Sequence, residues 1–250
     1  METNRSISPP PKGAFAKVGY AWEWGRKFGF GELCKKPFQL AFAPLIIRFK
    51  KQQYFSLNGQ TYPMFYHKYN CTWTKERAVE IPIAVMSIME NGPQAKVLEI
   101  GNVLSNYFPK TWDIIDKFEV ADGVINEDIE TFRPSEKYDK IVAVSTFEHI
   151  GFDSELNPEY TGIKIQKAFN NLRDNCLAEH GQILITTPMG YNPYMDEMAI
   201  FNSLGLTKCS FLKRINKNEW KQVDAEEASK CKYGDPYPFA NCIFIGEYIR

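Results

Sequence analysis

The chain has 250 residues, 30 Lys+Arg against 30 Asp+Glu, 44% hydrophobic and 24% charged residues. That length buries a substantial core as one domain with an added segment, and the zero net charge removes any global attraction to nucleic acid or an anionic membrane. The charge is unevenly spread, since residues 1–51 carry ten basic side chains, Arg48, Lys50 and Lys51 among them, against Glu2, Glu23 and Glu32. Such a basic arm either contacts an anionic partner or neutralises the acidic remainder of the chain. The six cysteines are irregularly spaced with no Cys-x-x-Cys pair, and read as free thiols in a reducing cytoplasm. The strongest apolar stretch, Leu40–Ile47, is broken by Pro44 and falls far short of the roughly 20 residues of a membrane span. Pro9, Pro10 and Pro11 stand where a signal peptide needs an apolar run. A soluble cytoplasmic protein is expected.

Residues 1–12 read as a flexible tail, and residues 13–74 as an aromatic-rich appendage or cap. Within the appendage, Phe28-Gly29-Phe30-Gly31 is turn-like, and Asn58-Gly59 closes a hairpin between Tyr54–Leu57 and Thr61–Phe65. From residue 75 to 250 the pattern is that of a nucleotide-binding domain. Thr74 can cap a helix over about Lys75–Glu90, with Pro82 as a local defect. Short apolar strands follow at Lys96–Gly101, Asp113–Phe118, Gly123–Glu127 and Lys140–Val144. A helix over about Pro158–Leu177 leads to a buried strand at Gln182–Thr187, and another near Met195–Leu204 leads to Lys208–Ile215 and Trp220–Val223 around an Asn216–Asn218 turn. Asn241–Tyr248 forms the last strand. Strands alternating with helices predict a doubly wound α/β fold with crossover helices.

In such sheets ligands bind beyond the carboxyl ends of the strands, where strand order reverses. Polar groups accumulate at those positions: Glu99, Gly101, Asn102 and Ser105; then Asp116 and Glu119; Asn126, Glu127 and Asp128; and Ser145, Thr146, Glu148 and His149. The first loop, Gly101-Asn102-Val103-Leu104-Ser105-Asn106, lacks the second glycine that lets backbone approach a pyrophosphate, which disfavours NAD and FAD. Asp116, at a strand end, is placed to accept ribose hydroxyls, or else to hold a turn.

Val97-Leu98-Glu99-Ile100-Gly101, Asp116, Asn126-Glu127-Asp128-Ile129, Tyr138 to Ile150 and Gly181 to Pro188 together resemble, in order and spacing, the motifs of class I S-adenosylmethionine (SAM) dependent methyltransferases. The resemblance covers roughly residues 75–250 and departs from the family in the first loop, where further glycines are usual. It implies a mostly parallel seven-stranded sheet with a reversed final strand, and SAM as cofactor. It also implies that Glu99 and Gly101 border the methionine end, Asp116 the ribose, Asp128 and Ile129 the adenine, that Ser145 lines the cofactor, and that Asn102 is a further cofactor-binding residue. Trp73, before the first strand, can wall the pocket and Arg77 can pair with the cofactor carboxylate, or the segment simply packs the appendage onto the domain. His149, with an unperturbed pKa of about 6.5, is the best placed general base, beside Glu148, or else Glu148-His149 orients a loop or His149 caps the following helix. No metal site is expected. The expected function is methyl transfer to a small polar acceptor, such as a sugar hydroxyl, with Tyr191-Asn192-Pro193-Tyr194 and Tyr233 to Phe239 as acceptor loops. A non-catalytic SAM- or nucleotide-binding module is the alternative. No nucleic-acid partner is expected, and the oligomeric state stays open.

Overall fold

The structure, a computed structural model, describes residues 37–152 and 160–250. The expected tail, the Phe28–Gly31 turn and the Pro158 start of a helix lie outside the described residues. Helix α1 (Ala43–Phe49) has Pro44 in its first turn, where no N–H donor is needed. Strands β1 (Tyr54–Leu57) and β2 (Gln60–Pro63) form an antiparallel hairpin about Asn58-Gly59. Both turn residues have positive φ, as a two-residue hairpin turn requires. A 3-10 segment, Tyr69–Thr74, precedes α2 (Arg77–Met89). Pro82 sits inside α2 without ending it, because the Ala78 carbonyl that Pro82 cannot bond accepts the Phe65 N–H at 2.8 Å.

Then come β3 (Val97–Ile100), β4 (Asp113–Ile115), β5 (Val124–Ile125), β6 (Tyr138–Val144), α3 (Thr161–Asn171), β7 (Leu177–Pro188), α4 (Pro193–Phe201), β8 (Lys208–Asn216), β9 (Glu219–Val223), α5 (Ala225–Ser229) and β10 (Cys242–Ile249). Strands β3 to β10 form one sheet in the order β5-β4-β3-β6-β7-β10-β8-β9. The five from β5 to β7 pair in parallel, and β10 runs antiparallel between β7 and β8. The reversed final strand is therefore present. The sheet has eight strands rather than seven, because Glu219–Val223 turns back along β8 and becomes the edge.

The expected crossover helices are only partly present. Between β3 and β4 there is a single 3-10 turn, Leu104–Asn106, and no α-helix joins β4 to β5 or β5 to β6. Tyr107, Phe108 and Trp112 pack there in place of a helix. Along each strand the side chains alternate between two cores, as the pleat dictates. Leu98, Ile100, Ile141, Ala143, Ile183 and Ile185 pack with α3 and α4. Val97, Val142, Val144 and Leu184 pack with α2 and the β1–β2 hairpin. Phe55, Leu57, Tyr62 and Met64 thus bury the hairpin in the same core as the sheet.

Phe169 of α3 is fully buried, in edge contact with Tyr248 of β10. Phe169→Ala is expected to lower unfolding free energy by about 3–5 kcal/mol, read from urea denaturation, through lost burial and the cavity left behind.

Candidate functional site

The chain runs from β3 outward to β4 and β5, then returns to place β6 on the other side of β3. The crevice created by that reversal holds a cavity of about 560 Å³, a size typical of small-molecule sites. Gly101, Asn102, Asp116, Asp128, Ile129, Ser145 and His149 all line it, so seven of the sequence-selected residues converge on one space. Glu99, Glu148, Arg77 and Trp73 are not among its lining and act from behind it or elsewhere.

Gly101 has φ +79°, and a Cβ there would drive into the Thr146 hydroxyl, so only glycine fits. Thr146 Oγ1 donates to the Ile100 carbonyl at 3.0 Å, which locks the ends of β3 and β6 together. The glycines missing from the loop are replaced by a polar network. Glu99 Oε1 accepts the Val103 and Leu104 amides at 2.7 and 2.6 Å, and its Oε2 accepts the Trp112 indole N–H at 2.8 Å. Burial raises the Glu99 pKa, while these three donors oppose the rise. Glu99 therefore holds the loop from the inside and is not among the residues lining the cavity. Asn102 donates to Glu119 Oε1 at 2.6 Å and accepts from the Ser105 hydroxyl.

The far wall is acidic. Asp116 Oδ1 accepts the Phe118 and Glu119 amides, each at 2.8 Å, so this carboxylate shapes its turn while lining the cavity. Asp128 accepts Lys117 Nζ at 2.7 Å and the Glu130 amide at 3.0 Å. Its partial burial alone would raise its pKa, but the Lys117 hydrogen bond and charge outweigh that and hold it low. Burial and the Asp128 charge push Glu130 up. Asp116, Glu119, Asp128 and Glu130 thus face the cavity against Lys117 and Lys164.

The floor is set by Ser145, whose φ of 44° is unusual for a residue with a side chain. Its hydroxyl donates at 2.8 Å to Glu80 Oε1, which also accepts the Thr186 hydroxyl at 2.9 Å. Glu80 Oε2 pairs with Arg77. Burial would lower the Arg77 pKa, but Glu80 and Glu76 outweigh it and raise it. Arg77 is consequently committed to α2 and its carboxylates, not to the cavity. Trp73 is core, packed with Ala43 and Cys71.

On the remaining side, the His149 ring lies between two partners. Nδ1 is 3.3 Å from the Tyr191 hydroxyl and Nε2 is 3.7 Å from Glu148 Oε1. Tyr191 meets Tyr233 edge-on at 5.2 Å, which brings both expected acceptor loops beside His149. Glu148 is buried, its Oε2 has no hydrogen-bond partner among the described residues, and its pKa is pushed up to about 7 chiefly by burial, against the opposing His149 charge. Glu80, Lys117, Glu130, Gly151 and Lys164 were not selected from the sequence. For Glu80 a signal existed, a charged residue between Val79 and Ile81 on the apolar face of a helix; the others are scattered loop and helix positions with no pattern of their own.

Glu80→Ala is expected to cost about 3–5 kcal/mol in urea denaturation, because it strands a buried guanidinium, whereas Arg77→Met/Glu80→Leu recovers most of that loss. Glu148 has a raised folded pKa, so its contribution to stability is fully present below about pH 4.5 and is lost as pH rises through about 7. Glu148→Gln should therefore unfold at higher urea than wild type at about pH 8, by on the order of 1–3 kcal/mol, with the advantage gone near pH 4.

No family model and no curated protein matches the chain. Among solved structures, it is similar to the N-methyltransferase NodS from Bradyrhizobium japonicum WM9 in complex with S-adenosyl-L-homocysteine, with 11% identity over 68% of this chain and 83% of that chain and a TM-score of 0.42. It is similar to a SAM-dependent methyltransferase from Archaeoglobus fulgidus, with 13% identity over 70% and 96% and a TM-score of 0.41. A SAM-dependent methyltransferase from Thermotoga maritima matches with 12% identity over 68% and 87% and a TM-score of 0.40.

Proposed function

We propose that the chain is a SAM-dependent methyltransferase acting on a small polar acceptor, with a sugar hydroxyl as the favoured acceptor group. The observation that carries the reading is the electrostatics of the cavity at the strand-order reversal. Four carboxylates face two lysines there, and the first-loop amides that would cradle a phosphate are already bonded to Glu99. A pyrophosphate cofactor meets a net acidic lining and two loop amides already engaged by Glu99, whereas a cationic sulfonium joined to an adenosine meets complementary charge. Asp116 is the ribose carboxylate in this reading, Asp128 and Ile129 flank the adenine, and Gly101, Asn102 and Ser145 border the methionine end.

When bound, SAM supplies a methyl group activated for in-line displacement. The protein's part is alignment and proton management. His149 accepts the proton of the acceptor hydroxyl as the oxygen attacks, and the adjacent Glu148 carboxylate stabilises the imidazolium so formed. Tyr191, on Nδ1, orients the ring. Tyr191 and Tyr233 offer hydroxyls and ring faces to a polyhydroxylated acceptor.

Calorimetric titration is the test. SAM and S-adenosylhomocysteine should bind saturably and NAD should not. Asp116→Ala should abolish SAM binding with the fold intact. His149→Ala should keep SAM affinity and lower turnover about 10²–10⁴-fold on an acceptor found by screening sugars first. Absence of binding by SAM and its demethylated product would overturn the reading.

A further inference from the structure

The helical segment at 37–49 has two apolar stripes. Ala43, Ile46 and Ile47 face the protein and pack with Cys71, Trp73 and Tyr66. Phe38, Phe42, Leu45 and Phe49 follow at spacings of four, three and four, which aligns them along a second line of the helix. Phe42, with φ −100° and ψ 8°, interrupts the helix, but hydrogen bonds from Phe42 N to Phe38 O and from Ile46 N to Phe42 O, both 2.9 Å, carry the helical course across it. The four side chains are 68%, 51%, 54% and 79% exposed, and Leu40 beside them is 56% exposed. Single exposed apolar residues are ordinary, but a row of three phenylalanines and a leucine marks a surface made to be covered.

What covers it is indicated by charge. Arg48 and Lys51 are exposed at the end of the stripe, and residues 1–51 hold ten Lys+Arg against three Asp+Glu in a chain that is neutral overall. Phenylalanine and leucine on one line with arginine and lysine at its edge match the boundary between anionic headgroups and acyl chains. The segment is about 20 Å long, too short to span a bilayer, and no helix among the described residues is long and apolar enough to cross one. We propose that residues 37–49 form an in-plane helix that docks this protein onto an anionic lipid surface. This proposal is independent of the reaction proposed for the cavity.

The test is flotation of the full chain with vesicles of phosphatidylcholine alone and of phosphatidylcholine with about three parts in ten phosphatidylserine. The protein should float with the anionic vesicles, remain behind with the neutral ones, and release as salt is raised. Phe42→Ser/Leu45→Ser/Phe49→Ser should lower the bound fraction at least about tenfold at an unchanged thermal midpoint. Arg48→Ser/Lys51→Ser should weaken binding to the anionic vesicles, and this variant decides alone if the triple variant fails to fold. Failure of the wild type to float, or binding undiminished in these variants, would overturn the proposal. So would a wild-type dimer that the triple variant turns into a monomer without any vesicle binding, since the stripe would then be a self-interface.

Discussion

One buried carboxylate joins the parts of this fold that make the site. Glu80, with no solvent exposure, lies in an apolar helix and gathers Arg77 of its own helix, Ser145 past β6 and Thr186 near the end of β7. Burying such a charge is costly unless every lone pair is used, and here the guanidinium and two hydroxyls use them. The arrangement fixes α2 against the carboxyl ends of the central strands. It also holds Ser145 in a left-handed conformation at the cavity floor, which no local preference of serine would produce.

The opposite wall follows a similar logic with a different carboxylate. Glu99 sits at the end of β3 and turns inward, where it bonds the loop amides that a dinucleotide fold would offer to phosphate. The loop has one glycine where its backbone must pass Thr146, and side chains elsewhere, because Glu99, Asn102 and Ser105 supply the fixing that flexible glycines cannot. A short 3-10 turn, Leu104–Asn106, stands after β3, so no α-helix begins at the Gly101 loop. The loop amides are thereby engaged by Glu99, while the 116–130 loops independently supply the acidic rim.

Around His149 the structure assembles residues from three separate stretches. Glu148 is adjacent in sequence, while Tyr191 follows β7 and Tyr233 precedes β10. Gly190, at φ +81°, lets the 231–233 backbone pass close enough to bring Tyr233 onto Tyr191, since a Cβ there would collide with Tyr233 N. Asp196 accepts the Gly190 amide from α4, and burial pushes its pKa up to about 7. The surroundings of His149 are thus braced by two acidic groups, Glu148 and Asp196, whose pKa values burial raises.

Much of this was determined by the sequence itself. The strands, the Asn58-Gly59 hairpin and the helices at α2, α3 and α4 follow from local periodicity and turn chemistry, which short-range sterics impose wherever the chain lies. The strand-end positions of Gly101, Asp116, Asp128, Ser145 and His149 follow as well, because a parallel sheet puts every strand's carboxyl end at one edge. Tertiary structure alone decided which polar groups face a ligand and which face each other. Glu99, Arg77 and Trp73 carry the right chemistry for a cofactor but spend it on the loop amides, on Glu80 and on the core. Glu80 gained its importance only when β6 and β7 arrived beside α2. Composition cannot report such choices, since a carboxylate's role is set by which donors lie within about 3 Å, and for Glu80 one of those donors, Thr186, is 106 positions away in the chain.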